Sequence, residues 1–306
     1  MSGKIKAVGK ISVVINTLNE EENLPRVLTS VKALAEEVVV VDMKSTDKTR
    51  QIAEKAGAKV YEHERVGYVE PARNFAIEKA RGEWILILDA DEEVPRILAD
   101  NLKSISADTK SADYYRLPRK NIIFGKWMKH SRWWPDYNIR FFRKGCVSWD
   151  EIIHSVPMTK GKGADLDAVE ENAISHHHYI SIEQYIDRLN RYTSYYAKGL
   201  LENGYKFRTS DLVKKPTDEF LSRYFKGEGY KDGLHGLALA LLQAFSELVV
   251  YLKVWQAEGF KKKSIRLNKL IRLVKNLRKD MNYWIADTLL KERGGPVYRI
   301  KRKLKI

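Results

Sequence analysis

Asp89 and Asp91 stand one residue apart, directly after the apolar run Trp84-Ile85-Leu86-Ile87-Leu88 and just before Glu92-Glu93. Two carboxylates so placed at the end of a strand can both turn toward a hard divalent cation, which takes oxygen ligands and keeps positions open for substrate phosphates. The chemistry this suggests is the handling of a diphosphate by Mg²⁺ or Mn²⁺. The same pair would also serve as polar residues closing a strand, so the surrounding elements must decide.

A short apolar run without alternation suits a strand buried on both faces, as in a parallel sheet covered by helices. Such sheets bind ligands at the carboxyl ends of their strands. Ile11-Ser12-Val13-Val14-Ile15 is a second run of this kind, followed by Asn16-Thr17-Leu18-Asn19-Glu20-Glu21-Glu22-Asn23. Leu24, Val27, Leu28, Val31 and Leu34 then repeat at helical spacing. Val38-Val39-Val40-Val41 ends in Asp42, and residues 44–49 supply turn and cap residues for a helix that stops at Gly57. A shorter strand is predicted over 59–62 and a helix from Pro71 to Arg81-Gly82. Alternating strands and helices predict an α/β fold with a mostly parallel sheet. A Gly-x-Gly-x-x-Gly turn and a phosphate-binding Gly-x-x-x-x-Gly-Lys loop are both missing from the sequence, which leaves a metal to hold the phosphates.

Charged residues make up 31% and hydrophobic residues 44% of the 306, an ordinary balance for a globular chain. The single Cys146 excludes an internal disulfide, and no basic segment runs into an apolar leader, so a cytoplasmic location is expected. The net charge of +15 is unevenly spread. Residues 261–306 hold 16 Lys or Arg against Asp280, Asp287 and Glu292, a charge of +13, which leaves +2 on the rest. A near-neutral body with a cationic tail points to an anionic surface, membrane or nucleic acid.

Four segments together carry a resemblance: Asn16-x-x-Asn19-Glu20-Glu21-x-x-Leu24, Asp42 followed by Ser45-Thr46-Asp47-x-Thr49, Ala72-Arg73-Asn74-x-Ala76, and the stretch from Ala80-Arg81-Gly82-Glu83-Trp84 to Asp89-Ala90-Asp91-Glu92. In this order they resemble a family 2 glycosyltransferase with a GT-A fold. The resemblance implies transfer of a sugar, with inversion, from a nucleotide donor, usually a UDP-sugar. It implies that Thr17, Asn19 and Glu20 line the nucleoside pocket, that Asp42 faces the base and that Arg73 approaches the nucleotide. Asp89 and Asp91 would hold the donor ribose and the Mg²⁺ or Mn²⁺. Where such sequences often carry Ser-Gly-Ser-Thr-Asp, this chain has Met43-Lys44-Ser45-Thr46-Asp47, a change in the backbone beside the base.

Residues 113–153 are rich in aromatics and Arg, including Trp133-Trp134-Pro135 and Arg140-Phe141-Phe142-Arg143. Sugars stack on rings and Arg pairs with phosphate oxygens, although the same residues also suit plain cores. This segment is similar to the acceptor side of the bacterial lipopolysaccharide-core branch of the family, which implies an acceptor role for Trp134 and Arg140. Relatives in that branch commonly show His-Glu where this chain has His154-Ser155, and that Glu would be the base. Its absence makes Glu151 or Asp150 the candidate base, with His154 a metal or diphosphate contact. In His176-His177-His178, neighbours on a strand point to opposite faces, so at most two converge, one of them as a phosphate or acceptor contact. The spacing matches no zinc motif.

Ser181-x-x-Gln184 offers a capping box into a helix through Tyr185, Leu189, Tyr192 and Tyr196. After Lys231-Asp232-Gly233-x-x-Gly236, the stripe Leu234, Ala238, Leu241, Phe245, Leu248, Leu252 and Trp255 predicts a long amphipathic helix, its polar interruptions arguing against a membrane span. A further helix puts Leu267, Leu270, Val274, Leu277, Met281 and Trp284 beside six cations, which reads as lying in a membrane interface; the alternative is that the stripe packs on the catalytic domain or a second subunit. The expected domains are 1–215, with a nucleotide-sugar half 1–93 and an acceptor half 94–215, and a helical basic region 216–306. The expected enzyme is a peripheral glycosyltransferase at the inner face of the cell membrane, acting on a lipid-linked or lipopolysaccharide-type glycan. The alternative is a non-catalytic polyanion-binding protein on the same scaffold.

Overall fold

The apolar run at 84–88 forms the central strand of a seven-stranded sheet, with all five side chains buried. The computed structural model describes residues 9–65, 70–149 and 157–306. They divide into two units, 1–122 with 135–178, and 123–134 with 179–306.

In chain order the elements of the first unit begin with β1 (Ile11–Thr17), α1 (Leu24–Val31), β2 (Glu37–Asp42), α2 (Thr49–Lys55), β3 (Lys59–Glu62) and α3 (Glu70–Lys79). β4 (Trp84–Asp89), β5 (Glu92–Glu93), α4 (Arg96–Ala107), β6 (Tyr114–Leu117) and β7 (Arg119–Ile123) follow. After β8 (Lys126–Trp127), which lies in the second unit, come β9 (Asn138–Arg143), β10 (Val147–Ser148), β11 (Met158–Thr159), β12 (Gly163–Asp165) and β13 (Ile174–Tyr179). The large sheet runs β12-β6-β9-β4-β1-β2-β3, with β4, β1, β2 and β3 parallel and β9 antiparallel to β4.

The four parallel strands could be read because both of their faces are covered. Ile11, Val13, Ile15, Leu86 and Leu88 pack with α1 and α4 through Leu24, Val27, Leu98 and Leu102. Val14, Val39, Val41, Ile85 and Ile87 pack on the other face with Ala72, Ala76 and Ile77 of α3. Gly82 enters β4 where a Cβ would lie 2.6 Å from Ser12 Oγ and 2.7 Å from Lys10 O, so no side chain fits there. Lys44 has φ +61°, the left-handed geometry that a glycine would adopt without strain. The backbone turn beside Asp42 is therefore of the glycine type, despite the Lys.

The second unit contains α5 (Ile182–Glu202), α6 (Asp211–Leu221), α7 (Gly233–Ala257), α8 (Leu267–Arg293) and α9 (Pro296–Leu304). Residues 179–215, assigned from sequence to the first domain, pack here, with α5 against α7. Ser181 caps α5 by accepting from Gln184 N–H at 3.2 Å. The Gln184 side chain reaches back to Ile180 N–H, one residue short of the cap. The buried stripe of α5 is Tyr185, Leu189, Thr193 and Ala197, while Tyr192 and Tyr196 are exposed.

The stripe expected on α7 is a correction of the same kind. Leu234, Leu241, Phe245 and Leu252 are exposed, and the buried residues are Gly236, Leu239, Ala240, Ala244, Val250, Tyr251 and Val254. The helix is apolar nearly all round, so periodicity does not pick its inner face, and the small residues let neighbours approach closely. By length and composition Gly229–Ala257 could cross a membrane, with a mean hydropathy of 1.7 over its most apolar window and a third of that window buried.

The Lys-Asp-Gly-x-x-Gly segment has a structural job. Asp232 is buried and accepts from His130 N–H at 2.9 Å and, when that ring nitrogen is protonated, from His130 Nδ1 at 3.0 Å. A Cβ on Gly236 would lie 1.8 Å from Gly229 O. Gly236→Ala is thus expected to cost about 3 kcal/mol or more by forcing backbone apart, measured as a lowered urea midpoint for the helical unit.

Candidate active site

β4 ends at Asp89 beside β1 and antiparallel to β9, and the chain turns through Ala90-Asp91 into β5, which pairs with β13 in the register His176↔Glu92. These elements gather one charged network within the first unit. Asp89 Oδ2 accepts from Arg140 Nη2 at 2.5 Å and Asp89 Oδ1 from Arg73 Nη2 at 3.1 Å. Glu92, buried, accepts from Asp89 N–H at 3.0 Å, from Arg140 at 2.6 Å and from Arg119 at 3.3 Å. Arg119 also donates to Asp136 at 2.6 Å. Burial pushes the Asp89 carboxyl up, but Arg140 and Arg73 outweigh it and hold Asp89 well below the usual carboxylate range. Burial likewise raises Asp136, and Arg119 and Asn121 more than offset it.

The other branch of the network fixes a histidine tautomer. Asn121 Nδ2 donates to Asp136 Oδ2 at 3.1 Å, which turns Asn121 Oδ1 toward His176 Nδ1 at 2.6 Å. A carbonyl oxygen only accepts, so Nδ1 carries the proton and the neutral ring presents the lone pair of Nε2. That Nε2 lies 3.5 Å from Asp91 Oδ1 and 3.2 Å from His178 Nδ1. Neighbouring ligands of a six-coordinate Mg²⁺ or Mn²⁺ lie about 3 Å apart. Asp91 and His176 therefore fit a divalent cation as a carboxylate and an imidazole, the ring being oriented by Asn121, which Asp136 in turn holds. Among the described residues no group of three His, Cys, Asp or Glu is placed to enclose a metal.

The loops at the carboxyl ends of β1 and β2 are laced together by hydrogen bonds. Asn19, at φ +55°, accepts from Thr46 N–H at 2.8 Å through Oδ1, and its own N–H donates to Ser45 Oγ at 2.8 Å. Glu20 N–H donates to Thr49 Oγ1 at 2.8 Å, and its carboxylate accepts from Asn23. Thr17 and Asp42 are buried side by side, with Thr17 Oγ1 donating to Asp42 at 3.4 Å and Asp42 accepting from Ser45 N–H. On α3, Asn74 grips the backbone of Trp149 in both directions, at 2.7 and 2.9 Å, which places that ring 5.6 Å from the Arg73 guanidinium.

The model of the family described as "Glycosyl transferase family 2" matches residues 12–169. An uncharacterized glycosyltransferase of Rickettsia typhi is 33% identical over 78% of this chain and 85% of its own length. The chain belongs to glycosyltransferase family 2. Its sheet and helices are the GT-A arrangement, and its activity is that of a glycosyltransferase. The lipopolysaccharide core biosynthesis glycosyltransferase LpsC of Rhizobium meliloti is 26% identical over 82% of this chain and 94% of its own length. Among solved structures, glucosyl-3-phosphoglycerate synthase of Mycobacterium tuberculosis, with Mn²⁺, UDP and glucosyl-3-phosphoglycerate, matches with a TM-score of 0.32 and 24% identity. That match spans 39% of this chain and 46% of the synthase.

The glycosyltransferase brings Arg73, Asp89, Asp91 and Arg140 into one cluster and keeps Thr17, Asn19, Glu20 and Asp42 together on the neighbouring loops. Asp150, Glu151 and His154 lie outside the described residues. Trp134 lies in the second unit, edge-on to Trp127. Arg140, expected from sequence on the acceptor side, is 3% exposed and held between Asp89 and Glu92. Glu92, Asn121 and Asp136 were missed, because a strand and its partners far along the chain bring them to the site.

Proposed function

We propose that this glycosyltransferase moves a sugar with inversion from a UDP-sugar to a lipid-linked or lipopolysaccharide-type glycan. The observation that carries the donor half is the pairing of Asp91 with a tautomer-fixed His176 at 3.5 Å, next to an Asp89 ion-paired with two arginines. Asp91 and His176 would hold Mg²⁺ or Mn²⁺, which when bound would supply Lewis-acid stabilisation of the charge on the leaving diphosphate. Asp89, kept ionised, faces the donor ribose, and Arg73 and Trp149 flank the nucleotide. Glu151 or Asp150 takes the proton of the acceptor hydroxyl, as direct displacement requires. Calorimetric titration with a nucleotide and nucleotide-sugar panel, with and without Mn²⁺, tests this reading. Mn²⁺-dependent binding of UDP is expected, and absence of nucleotide binding would overturn it.

The acceptor half rests on the relation to LpsC and on the surface of the last two helices. On α8, Leu267, Ile271, Val274, Met281 and Ile285 are exposed; on α9, Val297, Ile300 and Leu304 are exposed. The region around them carries +13. An apolar face bordered by cations suits an anionic bilayer surface, where each nearby cation contributes about 1 kcal/mol. The enzyme thus works as a peripheral protein at the cytoplasmic face. Because α9 has no buried residue, replacing Val297, Ile300 and Leu304 together by Ser leaves the fold intact. The triple variant is expected to bind phosphatidylglycerol vesicles at least about tenfold more weakly in flotation assays. Unchanged flotation would reject the membrane role.

A further inference from the structure

Asn16 is the last inward residue of β1 on the α3 face of the sheet, and it is 5% exposed. In register it lies directly beside Asp89 on β4 and Val41 on β2. Side chains of register partners in a parallel pair share a face, so the amide stands next to the Asp89 carboxylate, on the side from which Arg73 reaches it. Neither Asn16 Nδ2 nor Asn16 Oδ1 has a hydrogen-bond partner among the described residues. A buried amide with both of its polar atoms unpaired is rare in native proteins and costly, and it calls for a missing partner. Around the same carboxylate, Arg73 Nε and Arg140 Nε are also buried without partners.

What is missing can be read from charge and from hydrogen-bond type. Arg73, Arg119 and Arg140 balance Asp89, Glu92 and Asp136 within the network, so the site lacks no counter-ion. It lacks a neutral group that both accepts, from the amide nitrogen, and donates, to the amide oxygen. One hydroxyl does both. The position, at the carboxyl end of adjacent parallel strands, is where sheets of this kind bind ligands.

We propose that Asn16 is a hydroxyl-binding residue of the donor site, its amide taking one sugar hydroxyl of the nucleotide sugar. This rests on the donor-site reading above. The hydroxyl belongs to the ribose or to the transferred sugar, and the two sources differ in which ligand loses affinity.

The experiment titrates wild type, Asn16→Leu and Asn16→Ala with UDP, 2′-deoxy-UDP, 3′-deoxy-UDP and UDP-glucose in Mn²⁺, and records thermal unfolding of each ligand-free protein. Leu keeps the size of Asn and removes the unpaired amide, so the Leu variant should melt at the same temperature as wild type or higher. Its affinity for UDP-glucose should fall about tenfold, the worth of one good hydrogen bond. An equal fall for UDP, absent for one of the deoxy nucleotides, assigns a ribose hydroxyl. A fall for UDP-glucose alone assigns the transferred sugar. Unchanged affinity for all four ligands would overturn the proposal and leave the amide to a buried water. So would a fall that is equal for all four and accompanied by a lower melting temperature in both variants, since that is the mark of a structural residue. Failure of wild type to bind any of the four would instead overturn the donor reading itself.

Discussion

Asp91→Asn is expected to abolish Mn²⁺-dependent UDP binding and to lower turnover by about 1000-fold or more, because a cation on a leaving diphosphate is worth several kcal/mol. The substitution keeps size and shape. The backbone link from Asp91 O to His177 N–H, which joins the turn to β13, does not involve the side chain. His176 stays oriented by Asn121, and the Asp89–Arg140–Glu92 cluster is untouched. Chemical unfolding should therefore remain within about 1 kcal/mol of wild type. Calorimetry with Mn²⁺ and, separately, with EDTA checks the first part. An Asp91→Asn protein that still binds UDP in a Mn²⁺-dependent manner would place the cation elsewhere.

The site was partly legible in the sequence, and the division has a physical cause. Asp89 and Asp91 could be read because an apolar run buried on both faces announces a parallel strand, and the end of such a strand is where chemistry belongs. Asp42 ends β2 in the same way, whereas the roles of Thr17 and Asp42 toward a nucleotide are implied by the family resemblance alone. The three histidines were legible halfway. Alternation along a strand gives the pairing of His176 with His178, whose ring centroids are 4.5 Å apart, and turns His177 toward Glu93. It says nothing of Asn121, 55 residues away, which decides the tautomer of His176. The surroundings of Arg140 are not legible for a related reason. A guanidinium beside aromatics looks the same in sequence whether it meets a ligand or a buried carboxylate, and only the antiparallel pairing of β9 on β4 shows which.

The helical unit was less legible, because its elements lack a clear period. α7 has apolar side chains on nearly every face, so the stripe Leu234, Leu241, Phe245 and Leu252 reads as an inner face although it points outward. The inner face is marked by small residues, Gly236, Ala240 and Ala244 at every fourth position, and size rather than hydrophobicity is the signal there. The apolar residues left outside on α7, α8 and α9 join a strongly cationic tail in a single unit, which supports the membrane reading more directly than either feature alone.

Arg140→Met is expected to destabilise the first unit by about 3–5 kcal/mol, the range for removing one partner of a buried ion pair and leaving the other uncompensated. Met retains the length and apolar stem, so the loss is chiefly electrostatic. Glu92 is fully buried and, among the described residues, keeps Arg119, at 3.3 Å, as its one ion-pair partner, while Asp89 keeps Arg73, at 3.1 Å. Adding Glu92→Gln removes one of the stranded charges and should restore at least about 1 kcal/mol, a coupling that a mere packing defect would not show. The pH dependence follows from the direction of the Asp89 shift. In wild type its folded pKa is depressed, so its contribution is present above the ordinary value of 3.8 and is lost as pH falls through the folded value. Without Arg140, burial opposes ionisation with less to offset it, and that contribution shrinks. The stability gap between wild type and Arg140→Met should accordingly be widest near neutrality and narrow as pH falls below about 4. Urea unfolding at a series of pH values measures this gap, and a gap independent of pH would mean that Arg140 acts by packing rather than by charge.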